Sequence, residues 1–344
     1  ASPLGPFVCE GLIVCSPAGW RTPNAIDPQV LFAEGRLWLV YGSYGLGLFL
    51  LELDPATGLR KDGLAYADLT SGKCTFGEYY GVNLACGSLE GGVLHFEKDV
   101  PVCENGKWSK RSYYYLMCSF GSLSSAYNMR CARSERPEGP YTDVNGNPVV
   151  CSTDIGTGNK MLGSFRWEGD PVDYFCPGHN DIFTTSQGVR LIAYHCRTNY
   201  FIEKKLSRSN NFHYLYLSQY DFNSEGWPVM NPNRYAGEEI QDVTEDELLN
   251  ITAGKFEAVV FRQGVDTLTA KRVILHRDGT MDGAFRGTWR MYGARYIAVE
   301  TQGDVFLGVV MPAWIDHQGA AGLSVTAMGR RSGMALIMNS TNKI

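Results

Sequence analysis

The chain has 344 residues, of which 31 are basic and 36 acidic, so two domains are expected and the formal net charge is −5. This weak negative charge, without a run of lysine or arginine, argues against a surface that binds a polyanion. We therefore expect no nucleic-acid partner. The longest apolar stretch, residues 46–51, is far shorter than the ~20 residues of a membrane span, so no membrane association is expected.

Short runs rich in aliphatic, β-branched and aromatic residues recur along the chain, separated by Gly, Pro, Asn or Asp. In the first two thirds of the chain they predict β-strands at residues 37–41, 46–53, 113–120, 127–132, 189–195 and 214–222. With 39 glycines and almost no 3.6-residue periodicity, the chain is predicted to be all-β. A sandwich, a barrel or a propeller would each fit this pattern.

The acidic segment 237–250 contains the one clear helix start, where Thr244 can cap the helix and Glu247 can bond back to it. We place the domain boundary here, which gives domains of residues 1–238 and 239–344. Beyond the boundary, further strands are predicted at residues 256–261, 273–275, 296–299, 305–310 and 323–327. The second domain is therefore expected to be a small β-barrel or sandwich.

Ten cysteines lie within the first 200 residues and form no CxxC pair, which argues against a zinc cluster. Their even number fits disulfides in an exported protein. In a chain of this size they fit small buried hydrophobic residues equally well, and the sequence leaves both interpretations open. No signal-peptide pattern opens the chain, so we expect any secretion signal to have been removed or to lie outside this sequence.

One segment carries a family resemblance. Residues 24–42 read NAIDPQVLFAEGRLWLVYG and continue with SYGLGLFLLELDPATG, and they resemble glycoside hydrolase family 43, especially its endo-1,5-α-L-arabinanase branch. The resemblance implies a five-bladed β-propeller followed by an accessory β-domain, in a secreted or periplasmic hydrolase of arabinan or arabino-oligosaccharides. It assigns Asp27 the role of tuning the general acid. Taken alone, an aspartate before Pro28 would be an ordinary strand-entry residue.

The general acid is expected in the next segment. Residues 89–96 (LEGGVLHF), followed by residues 112–121 (SYYYLMCSFG), resemble the general-acid region of the family, so the resemblance assigns this role to Glu90. Glu78 and Glu97 are nearby alternatives. A cysteine-bearing insertion separates the two halves of the segment. In an inverting glycosidase, such an acid protonates the leaving oxygen while a base activates water.

The remaining site residues follow from the same resemblance. The sequence CPGHND resembles a family motif whose histidine belongs, through water, to a central calcium site, so His179 is the metal candidate and calcium the expected cofactor. Calcium prefers oxygen ligands, which implies a shell made largely of water. Ser43, Tyr44 and Phe120 fall at the expected cleft, where a hydroxyl can bond a sugar and flat rings can stack on one. Core packing is the alternative for both rings.

One expected part is absent. The family's general base, an aspartate in a His-Asp-Pro or similar motif, does not occur, and residues 5–20 resemble the end of a second blade. About three of five blades are therefore expected here, with the base supplied by a second chain, a preceding segment or an exchanged element. Asp143, Asp173 and Asp221 are formal substitutes. Two alternatives stay open: an exo-acting arabinofuranosidase or xylosidase, and a non-catalytic carbohydrate-binding protein.

Overall fold

The structure is a computed structural model that describes residues 2, 4–17, 19, 21–149, 157–206, 212–264 and 266–341. Within these ranges β-strands dominate, and the helices are short. The predicted mostly-β character is thus confirmed. None of the helices in these ranges has the length and apolar character needed to cross a membrane.

The first sheet is antiparallel and contains, in spatial order, β1 (Gln29–Ala33), β2 (Arg36–Tyr41), β3 (Leu48–Leu53) and β4 (Val82–Ala85). The connection from β3 to β4 holds two one-turn helices, α1 (Tyr66–Thr70) and α2 (Phe76–Tyr80). Helix α2 begins at a capping box that the sequence analysis missed, in which Thr75 N–H donates to Glu78 at 2.7 Å. The described residues 4–17, expected to end a preceding blade, form no strand.

The second sheet contains β5 (Leu89–Glu104), β6 (Lys107–Phe120), β7 (Asn128–Ser134) and β8 (Asn159–Leu162). The cysteine-bearing insertion lengthens the β5–β6 hairpin, which closes at Asn105 and Gly106. Both residues have positive φ, as a two-residue hairpin turn of type I′ requires. At the hairpin's far end, the ring of Trp108 lies 4.7 Å from that of Tyr296 in the C-terminal domain.

A short strand, β9 (Phe165–Arg166), leads into the third sheet, which contains β10 (Phe175–Thr184), β11 (Arg190–Arg197), β12 (Tyr214–Phe222) and β13 (Pro228–Met230). Helix α3 (Tyr200–Glu203) follows β11. Each of the three sheets has the four antiparallel strands of a propeller blade. The count of five blades stays a prediction.

The C-terminal domain is a closed eight-stranded barrel preceded by helix α4 (Glu245–Thr252). The predicted capping box is confirmed, because Thr244 N–H donates to Glu247 at 2.7 Å and Glu247 N–H donates to Thr244 at 3.2 Å. A separate strand, β15 (Leu268–Thr269), pairs in parallel with β9, and a 3-10 turn spans Asp316–Gln318. The barrel strands are β14 (Lys255–Val260), β16 (Lys271–Leu275), β17 (Thr280–Gly283), β18 (Gly287–Tyr292), β19 (Tyr296–Thr301), β20 (Asp304–Ile315), β21 (Ala320–Gly329) and β22 (Ala335–Ser340).

One hydrophobic core joins the second and third sheets to the outer wall of the barrel. Met117 and Tyr220 reach it from the sheets, and Val259, Val309 and Ile337 reach it from barrel strands. A second core fills the barrel, and a third lies between the first and second sheets. The barrel therefore packs directly on the sheets that position the site.

Nine of the ten cysteines lie in the described residues. Four of them are buried in the sheets: Cys118, Cys131, Cys176 and Cys196. This placement fits the interpretation of these four as small hydrophobic residues. Cys151 lies outside the described residues.

Candidate active site

Asp27 lies in the loop that enters β1. Its backbone φ of 55° is one that residues other than glycine rarely adopt. The loop is fixed to β2 because Gly42 N–H donates to Ile26 O at 2.9 Å. Burial raises the pKa of Asp27, His179 lowers it, and the charge of Glu90 raises it further. One carboxylate oxygen, Oδ2, is buried without a hydrogen-bond partner among the described residues. A strained backbone and an unpaired oxygen are features that cluster at functional sites.

Glu90 is the second residue of β5 and forms an isolated bridge with Ser43, which follows β2 of the first sheet. Ser43 Oγ–H donates to Glu90 Oε2 at 2.8 Å, and Tyr127 O–H donates to Oε1 at 2.7 Å. Burial, and next the hydrogen bond to Glu90, raise the pKa of Tyr127, so its hydroxyl keeps its proton. A hydroxyl can also accept a hydrogen bond. The hydroxyls of Ser43 and Tyr127 can therefore bond the Glu90 carboxyl both before and after Glu90 gives up a proton.

His179 lies near the start of the third sheet, on β10, and also has a positive φ, of 51°. Its Nε2 lies 3.9 Å from Asp27 Oδ1, and its Nδ1 lies 3.4 Å from the Tyr127 hydroxyl. Its backbone N–H donates to Ser119 Oγ at 2.7 Å. The structure thus brings Asp27, Glu90 and His179 together, one from the loop that enters the first sheet and one from each of the other two sheets.

This convergence needs a residue without a side chain at position 178. A Cβ added to Gly178 would lie 2.3 Å from a ring carbon of Tyr127, and Tyr127 is fully buried. We expect Gly178→Ala to lower the free energy of unfolding by about 1–3 kcal/mol, because overpacked interiors must shift to relieve such contacts. Urea unfolding followed by circular dichroism measures the difference.

The matched control is Gly77→Ala in helix α2, where a Cβ would meet nothing within 4 Å. Alanine is the better helix former, so this variant should be neutral or slightly more stable. Equal unfolding free energies for the two variants would contradict the close approach at Gly178.

The two alternative acids lie in other environments. Glu78 closes the capping box of helix α2 by accepting from Thr75. Glu97 accepts from the guanidinium of Arg190 at 2.7 Å and contacts His95 at 3.0 Å. Among the three glutamates, Glu90 is the one that faces Asp27.

The three formal substitutes for the base are held in structural contacts. Asp143 accepts backbone N–H bonds within its own turn, at 2.8 and 3.0 Å. Asp173 accepts from Thr198 at 2.7 Å, and Asp221 pairs with Arg295 at 2.8 Å. These contacts favour a base that comes from elsewhere.

The three predicted sugar-binding residues lie in different environments. Tyr44 is half-buried, its hydroxyl donates to Gly121 O at 2.6 Å, and with Asn24 it lines an open cavity of about 480 Å³. Ser43 lines the same cavity, but its hydroxyl is taken by Glu90. Phe120 is 1% exposed and lies in the core between the first and second sheets. We therefore do not retain Phe120 as a substrate contact.

Two residues that hold the site were not predicted from the sequence: Tyr127, which donates to Glu90, and Ser119, which accepts from the backbone of His179. Tyr127 is the first residue of a predicted strand, but its contact with Glu90 spans 37 residues and depends on how strands pair. No spacing along the chain marks such a contact.

The fit of this centre to calcium is partial. Within the described residues, no three His, Cys, Asp or Glu side chains come close enough to hold a metal ion. His179 is solvent-exposed, and Asp27 keeps an unpaired oxygen, which fits an ion whose other ligands are water. The calcium site stays a prediction.

Comparison with known proteins identifies the family. Residues 1–228, more than half of the chain, match the family model of glycosyl hydrolases family 43. The chain belongs to glycosyl hydrolases family 43. Residues 232–338 of this family 43 chain match the model of a C-terminal lipocalin-like domain. The predicted family resemblance is confirmed.

Curated relatives of this family 43 chain include two named arabinanases. It is 30% identical over 316 residues to extracellular endo-α-(1→5)-L-arabinanase 2 of Bacillus subtilis (strain 168), covering 86% of this chain and 60% of the relative. It is 32% identical over 317 residues to extracellular endo-α-(1→5)-L-arabinanase of Thermotoga petrophila, covering 86% and 59%. The chain thus spans about 60% of the length of these relatives.

Solved structures agree in fold. The family 43 YxiA protein from Bacillus licheniformis superimposes with a TM-score of 0.79 at 28% identity, covering 99% of this chain and 76% of that one. Endo-1,5-α-L-arabinanase from Thermotoga petrophila RKU-1 superimposes with a TM-score of 0.80 at 26% identity, covering 98% and 75%. Both likenesses extend over the sheets and the barrel.

Proposed function

We propose that this family 43 chain carries two of the three catalytic carboxylates of an enzyme that cuts α-1,5-linked L-arabinan internally, with inversion. The observation that supports this most is the placement of Glu90, held by two hydroxyls and facing Asp27 across the junction of the first two sheets. The names of both curated relatives, endo-arabinanases, support the substrate.

In the proposed mechanism, Glu90 gives its proton to the glycosidic oxygen as the bond to the anomeric carbon breaks. A base ~6.5–9.5 Å away takes a proton from the water that attacks the opposite face of the sugar. The hydroxyls of Ser43 and Tyr127 then donate to the carboxylate that remains. Asp27 acts through its charge on Glu90 and does not contact the leaving oxygen.

The base is proposed to come from further propeller sheets that complete the ring. Apolar side chains are exposed on the outer faces of the first and third sheets: Val30 is 52% exposed, Phe32 64% and Leu215 80%. Exposed apolar patches on soluble proteins mark surfaces that another chain or segment covers. A second chain, a preceding segment or an exchanged element would each cover them.

Mass spectrometry and light scattering of active material test this. We expect either a partner, a longer chain or an oligomer. Activity in a single intact chain of 38.1 kDa without a partner would contradict the proposal.

We also propose that calcium binds at His179 with mostly water ligands. Bound there, the ion would supply positive charge beside the two carboxylates. We expect treatment with a chelator to lower activity and added calcium to restore it, with metal content measured by mass spectrometry. Full activity in metal-free protein would exclude this role.

Digestion of linear arabinan by the complete native protein tests the proposed function. A ladder of oligosaccharides is expected from internal cutting, and nuclear magnetic resonance of the first products should show the inverted anomer. A single small product would indicate the exo-acting alternative. Unchanged arabinan together with measurable binding would indicate a carbohydrate-binding protein.

The relatives' names include the word extracellular, and we propose export for this protein as well.

A further inference from the structure

A row of rings extends from the candidate centre along the third sheet. The imidazole of His195 on β11 stacks on the ring of Tyr127 at 5.6 Å and 10°. Its centroid lies 6.4 Å from that of His179 and 4.6 Å from that of His213. His179 lies on β10 and His213 directly precedes β12, so this row starts at the centre and crosses β11 towards β12.

Hydrogen bonds along this row determine where the protons lie. The Arg197 guanidinium donates to His213 Nε2 at 3.0 Å, so that nitrogen must be an acceptor. The proton of His213 is therefore on Nδ1, which lies 3.3 Å from His195 Nδ1. His195 Nδ1 accepts this proton's hydrogen bond, which leaves its own proton on Nε2. The chain of bonds thus runs from Arg197 to His213 to His195.

The surroundings keep both imidazoles neutral. His213 accepts from the Arg197 guanidinium, which requires an unprotonated Nε2. Burial and then Arg197 lower the pKa of His213. Arg197 is itself buried, with an unpaired Nη1 among the described residues. A buried cation with an unpaired nitrogen is costly, so we ask what Arg197 stabilises.

The N–H of His195 is left available. Within the described residues Nε2 has no hydrogen-bond partner, and it is not among the buried unpaired atoms, so solvent reaches it. Carbohydrate hydroxyls are good acceptors for such a neutral donor, and a donor fixed in one tautomer loses little freedom on binding.

We propose that His195, oriented by Arg197 and His213, forms a sugar subsite on the third-sheet side of the cleft. In this subsite Nε2–H donates to a hydroxyl of the arabinan chain. His195 is a positioning residue: it binds the polymer and takes no part in proton transfer. The proposal rests on the proposed function for the identity of the sugar.

The test compares His195→Phe with His195→Gln in the complete native protein. Phenylalanine keeps a flat ring on Tyr127 but removes the donor, whereas glutamine places an amide N–H near the position of Nε2. We expect His195→Phe to raise KM for linear arabinohexaose about three- to tenfold, the worth of one neutral hydrogen bond, with kcat nearly unchanged. His195→Gln should recover most of this loss.

Two further readouts are independent of turnover. Long-range ¹H–¹⁵N spectra of the wild type should show the His195 proton on Nε2, and His213→Phe should mix the two tautomers. Calorimetric binding of arabinohexaose should weaken in His195→Phe by the same factor as KM.

The outcomes separate this subsite from the function itself. If the wild type binds and cuts arabinohexaose but His195→Phe leaves KM and Kd unchanged, the subsite is wrong and the function stands. If glutamine is no better than phenylalanine, or if only the assembly state changes, His195 has a structural role and the subsite is also wrong. If the wild type neither binds nor cuts arabinan, the proposed function fails first.

Discussion

Replacing Glu90 with glutamine is expected to lower kcat/KM on arabinan by about 10²–10⁴-fold, the usual contribution of a general acid. Glutamine has nearly the same shape, and its amide can accept from one of the Ser43 and Tyr127 hydroxyls and donate to the other, so the fold and substrate binding should be kept. It has no acidic proton to give to the leaving oxygen. Initial rates on linear arabinan measure the loss.

The matched control is Glu78→Gln, the same change at an exposed capping position, where glutamine also caps well. This variant should keep full activity. A substrate with an activated aryl leaving group gives a second control, because such a group departs without protonation, and Glu90→Gln should recover much of its rate on it. Wild-type activity on arabinan in Glu90→Gln would show that another residue is the acid.

Replacing Asp27 with asparagine is expected to lower kcat about 10²-fold or more, the scale on which loss of one preorganised electrostatic group acts in an active site. Asparagine tolerates the left-handed backbone conformation found at Asp27, so the loop should keep its shape. The change removes the negative charge beside Glu90 without changing the volume. Steady-state kinetics should show the loss in kcat and little change in KM.

Asp143→Asn provides the control for this substitution. Asp143 accepts backbone N–H bonds in a surface turn, a role that asparagine also fills. We expect wild-type rates from it. If Asp27→Asn matched the control, Asp27 would be an ordinary strand-entry residue, and the centre would depend on Glu90 and the external base alone.

Local patterns in the sequence predicted the elements well where a single physical rule applies. The strand at Tyr214–Phe222 and the capping box of Thr244 both agree with the structure. Helix α2 was missed although its capping box is as clear, because five residues are too few to show a helical period. For the second domain the sequence predicted either a barrel or a sandwich. The positions of strands along the chain do not show which strands pair at the edges of the sheet.

The candidate site was predictable only as far as the family motif reaches. Asp27, Glu90 and His179 come together as the resemblance implied, whereas Phe120 does not face the cleft. All of residues 113–120 in β6 are buried, so alternation along this strand cannot tell a core face from a cleft face. Tyr127 and His195 join the site through packing between neighbouring sheets, which leaves no trace in local sequence.

The continuous core between sheets and barrel has a thermodynamic consequence. Val259 and Ile337 of the barrel share one apolar cluster with Met117 of the second sheet, the β9–β15 pair crosses the same junction, and Trp108 lies against Tyr296. Because these two domains share a core, we expect them to unfold together. Stability lost anywhere in the barrel is therefore lost by the cleft as well, and a substitution far from Glu90 lowers the fraction of molecules in which the cleft exists.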